Sequence, residues 1–230
     1  MKLLGSKSPG MSAHEKPDGY LTPMTFRTRY SSGILMVFCR SLLLAVCVCG
    51  SFVHATSVVE VTMEEMLQHS ALVFEGRVVD MKVREDDNGI IQTRVTFEIY
   101  EIIKGDANNK KITLSFLGGE VAGRKLSVSN MHTPALNEHG IYFVESPERN
   151  LVQPLYGWSQ GHFKIKHDAA GKDRVFTRSG RPVRGIEHTN GKRSGRLSRG
   201  AARGVLLGDH GDAFNALDKK AFKQLLRAMR

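Results

Sequence analysis

Four groups of residues have types and spacings that could do chemistry. Gly157-Trp158-Ser159-Gln160-Gly161 matches G-x-S-x-G, in which a sharp strand-to-helix turn lifts a nucleophilic serine above a sheet, with an oxyanion hole behind it. His162 lies three residues on as a candidate base. Yet His162–His167 reads as a strand and no alternation of strand and helix surrounds the motif. The expected structure is therefore a glycine-flanked turn displaying Trp158, and a serine hydrolase built on Ser159 and His162 is the alternative. His132, His139, His162, His167, His188 and His210, with Met131, offer metal-ligand chemistry, and His132, His139 and His162 would serve a metal-handling protein. No two of them have helix-site spacing or form a tight strand pair, so scattered surface histidines are expected, with no metal and no other cofactor.

Acidic and basic runs have simpler expectations. Glu64-Glu65 suits helix capping, and Glu85-Asp86-Asp87 suits a solvated turn rather than a calcium or acid–base site. Eight basic residues (Arg178, Arg181, Arg184, Lys192, Arg193, Arg196, Arg199 and Arg203) face a single acidic one, Glu187, over 178–208. Readers of single-stranded nucleic acid interleave aromatic platforms with such charges, and from Arg178 to Arg203 there are none, which argues against nucleic acid. The chain carries no phosphate-binding glycine loop, no HExxH, no CxxC and no internal repeat. No catalytic residue is assigned. The residues expected to bind a partner are Tyr156, Trp158, Gln160, His162 and Phe163, an aromatic group beside flexible glycines.

The elements that must position these residues read mostly as strands. Thr62-Met63-Glu64-Glu65 is a capping box with Val61 and Met66 as its apolar staple, predicting a short helix to about His69. Ala71–Arg84 is rich in β-branched residues, and Asp86-Asp87-Asn88-Gly89 predicts a hairpin. Val95, Phe97 and Ile99 alternate with polar neighbours over Arg94–Ile99, as do Ile112, Leu114 and Phe116 over Lys111–Phe116. Gly118-Gly119 marks a corner or bulge. Strands are further predicted at Lys125–Ser129, Ile141–Glu145, Leu151–Leu155, His162–His167 and, after a turn at 170–172, Arg174–Thr177. Short strands at this spacing, after one short helix, predict a mainly β protein, an antiparallel OB-like barrel or sandwich.

The predicted organisation has four parts: an N-terminal extension and signal peptide over 1–55, a β domain over 56–177, a disordered basic linker over 178–208, and an amphipathic helix within 209–230. In the last part Phe214, Leu217, Ala221, Leu225 and Met229, with Phe222 and Leu226, share one face, and Asp212 or Asp218 serves as cap. The formal charge of +10 is uneven. Residues 56–168 hold 12 Lys and Arg against 16 Asp and Glu, whereas residues 169–230 hold 15 against 5. The basic end is thus expected to suit an anionic membrane surface, or else the helix closes one end of the β domain.

Arg40 precedes the apolar run Ser41–Val53, which leads into Val53-His54-Ala55, the three-part pattern of a secretory signal. At 13 residues the run falls short of the roughly 20 that span a bilayer. A signal beginning at Met36 has ordinary length, so translation is expected to start there and the mature protein at Thr56. Cys39, Cys47 and Cys49 all lie in this segment, which leaves the mature chain without disulfides or thiolate sites. Val46 and Val48 stand where lipoprotein processing wants a small residue. An exported protein, periplasmic or secreted, follows.

Several stretches of Glu60–Asp168 resemble a widespread, uncharacterised class of small exported bacterial proteins. They are the capped helix, LVFEGRVV (Leu72–Val79), VTFEIYEIIKG (Val95–Gly105), the Gly118-Gly119-Glu120 corner, the IYFVE strand and PLYGWSQGHF. More remotely, the first two strands are similar to those of netrin-like domains, the OB-type barrels of tissue inhibitors of metalloproteinases. The N-terminal cysteines through which those inhibitors engage a zinc are missing here, so the resemblance implies a barrel and a binding role, without inhibition. The expected function is a non-catalytic exported module that binds a protein or polysaccharide of the envelope or the extracellular space.

Overall fold

A computed structural model describes residues 58–189, 195–210 and 215–229. The expected signal segment and its cysteines lie outside these residues, as do Lys192, Arg193, Asp212, Phe214 and Arg230. The chain begins as its capping box dictates. In α1 (Met63–His69), Thr62 accepts a hydrogen bond from the Glu65 amide at 3.0 Å, and Met63, Met66 and Leu67 turn inward.

The strands are β1 (Leu72–Glu85), β2 (Ile91–Lys104), β3 (Lys111–Leu117), β4 (Gly119–Val121), β5 (Arg124–Leu126), β6 (His139–Val144), β7 (His162–His167), β8 (Asp173–Thr177), β9 (Val183–Ile186) and β10 (Val205–Leu207); α2 (Lys219–Ala228) follows. Six strands form an antiparallel sheet in the order β3-β2-β1-β6-β7-β8, and β4–β5 and β9–β10 form two small ribbons. The β1–β2 hairpin is longer than alternation suggested. Its turn closes on Asp86, whose Oδ1 accepts from the amides of Asn88 and Ile90 at 3.0 and 2.8 Å. The expected strand at Leu151–Leu155 is a loop that meets the sheet at both sides, by a bridge from Leu155 to Val144 and by the Leu117 amide donating to the Val152 carbonyl at 3.0 Å.

Both faces of the sheet are covered. On one, Leu72, Phe74, Val78, Val95, Phe97, Leu114, Phe116 and Tyr142 share a core to which no helix contributes, so β1–β3 must curl to enclose it. Three register shifts in the β1–β2 pairing supply the bend. Of the expected OB-like barrel or sandwich, no closed barrel is formed among the described residues: β3 and β8 are the two edges of the main sheet. What stands is a mainly β protein with one large antiparallel sheet and two helices.

On the other face, Val73, Ile141, Phe143, Phe163, Ile165 and Val175 meet α1, α2 and the segment after Thr177. That segment does not match the expected linker over its described residues. Val183 and Ala202 are core residues, and β9 pairs with β10. Main-chain hydrogen bonds run from Glu60 to Arg196 (2.9 Å), from Arg203 to Val61 (2.8 Å) and from Met63 to Arg203 (3.0 Å). Glu64 accepts both the amide and the hydroxyl of Thr189, at 2.7 and 2.8 Å. A domain boundary at Thr177 would therefore cut through one apolar core, and residues 54–230 form one compact unit.

The last helix docks by part of the expected face, with Leu217 and Met229 packed beside it. Asp218 caps it, accepting from the Lys220 amide at 2.8 Å. Phe222 and Leu226 are fully buried, while Leu225 is 36% exposed. Lys219, Lys223 and Arg227, one turn apart, face the sheet. Glu75 on β1 takes Lys219 at 2.8 Å, Lys223 at 2.5 Å and His139 at 2.9 Å. Glu101 on β2 pairs with Lys223 and Arg227, and Asp173 on β8 takes Lys219 at 2.6 Å. Burial alone would raise the Glu75 pKa; His139 and the two lysines hold it down at about 2.

Candidate functional site

The residues after β6 bring the chain back under α1 and into a tight turn. Gly157 and Trp158 both adopt left-handed backbone, φ 67° and 60°. A Cβ on Gly157 would approach Val61 Cγ2 to 2.9 Å, so glycine is required there. For Trp158 that conformation stores about 1–3 kcal/mol, a strain that functional sites commonly hold. Gln160 anchors the turn: its side chain accepts from the Val61 amide at 3.0 Å and donates to the carbonyls of Val59 (3.0 Å) and Gly157 (3.1 Å).

These contacts sort the five residues expected to bind a partner. Phe163 is 1% exposed and packs on Phe222, ring centres 5.0 Å apart, so it belongs to the core and displays nothing. Gln160 is equally buried and serves as the clamp just described. Tyr156 stacks on His69 and donates its hydroxyl to Glu65 at 2.8 Å, which fixes it to α1. His162 is buried beneath the turn. Trp158 alone of the five is half-exposed without such a tie. Alternation around β7 would have found Phe163 as core; a partner for Gln160, about 100 positions away along the chain, leaves no local mark.

Beside Trp158, Ser159 opens onto a pocket of roughly 340 Å³. Asn130 and His132 come from the loop after β5, Arg178 from the end of β8, and Ser198 from the segment that bridges to residues 58–60. Among the described residues, the Ser159 hydroxyl, the His132 ring and the Arg178 guanidinium have no hydrogen bond or ion pair. Behind them His162 Nε2 lies 2.6 Å from Glu138 Oε1 in poorly aligned contact, its Nδ1 without a partner, and Lys164 reaches Glu138 Oε2 at 2.8 Å. Burial pushes the His162 imidazole below its ordinary value, and Glu138 offsets only part of this. Burial would raise Glu138, but His162 and Lys164 hold it low. Burial, then Arg178, His162 and Lys164, also depress His132.

Ser159 makes no hydrogen bond to His162 or His132 among the described residues, and it sits within a single 3₁₀ turn (Trp158–Gly161) that leads into β7 rather than into an α-helix. His139 pairs with Glu75, and His162 lies against Glu138 without a formed hydrogen bond. No group of three or more His, Cys, Asp or Glu among the described residues could hold a metal ion. His167 pairs with Asp173 at 2.7 Å, and His188 lies 3.6 Å from Glu64. Comparisons with family models, curated proteins and solved structures returned no match.

Proposed function

We propose that the chain is an exported, non-catalytic binding module. It grips a polymer of the envelope or the extracellular space at the Trp158 turn and the pocket beside it. One observation carries this reading: Ser159, His132 and Arg178 converge from three separate segments on one pocket, and none of the three polar groups has a protein partner among the described residues. The strained Trp158 next to Ser159 in the chain supports it, since an amphipathic aromatic plate suits a sugar or peptide. The secretory pattern before Thr56 supports export, and the curled β1–β3 half supports kinship with OB-type binding folds. An anionic membrane reached through α2 would have to compete with the core seats of Phe222 and Leu226 and with the acidic partners of Lys219, Lys223 and Arg227.

The test is retention by envelope extract of tagged mature protein, comparing wild type with Trp158→Ala. Recovery of a polymer by the wild type and its loss in the variant is the expected result. Recovery of a protein alone moves the reading to a protein partner. Labelling of Ser159 by a fluorophosphonate probe would overturn the non-catalytic reading and restore the hydrolase.

A further inference from the structure

Resting on the binding reading above, we propose that the pocket beside Ser159 takes a small oxyanion group carried by the partner, with Arg178 as its anchor. The ligand chemistry is that of a carboxylate, sulfate or phosphate.

The pocket lining supplies donors and no carboxylate. Arg178 brings a planar guanidinium, half-buried at the end of β8 and free of any hydrogen bond or ion pair among the described residues. A desolvated guanidinium without a partner is costly, and a charge-assisted pair with an oxyanion is its natural complement. Glu138 does act on Arg178 through its field, but its two oxygens already face His162 and Lys164. Ser159 has an uncommitted hydroxyl. Ser198 Oγ accepts from the Gly200 amide at 3.0 Å, which leaves its own proton free to donate. His132 lines the same pocket; burial first lowers its affinity for a proton, and Arg178, His162 and Lys164 add to that through their charges, so the pocket's own titratable neighbours are cationic or neutral. A volume of roughly 340 Å³ admits the oxyanion together with the sugar or side chain that bears it.

The probes are sodium galacturonate, sulfate and inorganic phosphate, with neutral methyl galactoside as control. Each is titrated into the full mature protein at constant ionic strength and followed by NMR chemical shifts. Saturable one-to-one binding of at least one oxyanion and none of the neutral sugar is expected. Arg178→Ala should weaken that binding by at least about tenfold. Arg149→Ala, which alters only an exposed pair with Glu145, should leave it unchanged. The unfolding midpoint of Arg178→Ala should not fall below that of wild type, because the guanidinium has no described partner to lose and its desolvation cost is relieved. A galacturonate preference points to an acidic polysaccharide or a peptide carboxylate; a phosphate or sulfate preference points to a phosphorylated or sulfated polymer. Equal binding of the neutral sugar, or an Arg178→Ala variant as tight as wild type, overturns the proposal. If envelope material is still retained in that case, the binding reading survives and only the oxyanion falls; if nothing is retained, both fall.

Discussion

Replacing Glu75 by glutamine keeps the shape of the side chain and removes the charge shared by Lys219, Lys223 and His139. The carboxyl sits at about 2 in the folded chain against 4.5 ordinarily. Between those values the unfolded chain binds a proton that the folded one refuses, so the stabilisation is complete above pH 4.5 and is lost as pH falls toward 2. A shift of this size is worth about 3 kcal/mol, at roughly 1.4 kcal/mol per unit. Lys219 keeps Asp173 and Lys223 keeps Glu101, so neither lysine is orphaned by the change. Urea unfolding of wild type and Glu75→Gln, followed by circular dichroism from pH 7 to pH 2, reads the difference directly. The other carboxylates titrate in both proteins and cancel. The gap should be about 3 kcal/mol at pH 7, hold to pH 4.5, and close toward pH 2. A gap that does not change with pH would refute the reasoning, because glutamine would then be acting through packing and not through charge.

Phe222→Ala should destabilise the fold by about 3–5 kcal/mol, and a chain ending at Thr177 should lose its cooperative thermal transition, since both empty the core under α2. His162 is buried with its proton affinity depressed, so wild type should lose stability as pH falls from 7 through 5, below the ordinary 6.5 of the unfolded imidazole. His162→Gln should flatten that limb in denaturant titrations, leaving only the part His132 supplies, and parallel curves would assign the titration to another group. Intact mass of protein from the extracytoplasmic fraction should correspond to residues 56–230; a species retaining Ser41–Val53 would contradict export.

Wherever a feature depends on neighbours in the chain, residue order alone determined it. Thr62 caps α1, Asp86 closes the long hairpin, Asp168 closes the turn before β8, and β7 runs over the six residues expected of it. Each rests on a hydrogen bond within four residues or on a two-residue alternation, and such signals survive without tertiary context. The strands β9 and β10 left no such mark, because three or four residues among arginines are too few for a period to register. Their place is tied to the segment between them, whose Arg196, Ser198 and Arg203 bond to residues 58–63, more than a hundred positions earlier.

The tertiary structure decided which polar residues are spent on the fold and which are left over. Lys223 and Glu75 are 148 positions apart, and only docking of α2 turns a basic stripe that suited a membrane into an internal ion network. Phe163 looked available beside its glycines until the sheet placed α2 over it. The pocket at Ser159 has walls from segments around residues 58, 130, 159, 178 and 198, so no window of sequence contains it. Periodicity reports which face of an element is apolar; what covers that face, and which charges meet there, is set by packing between distant parts of the chain.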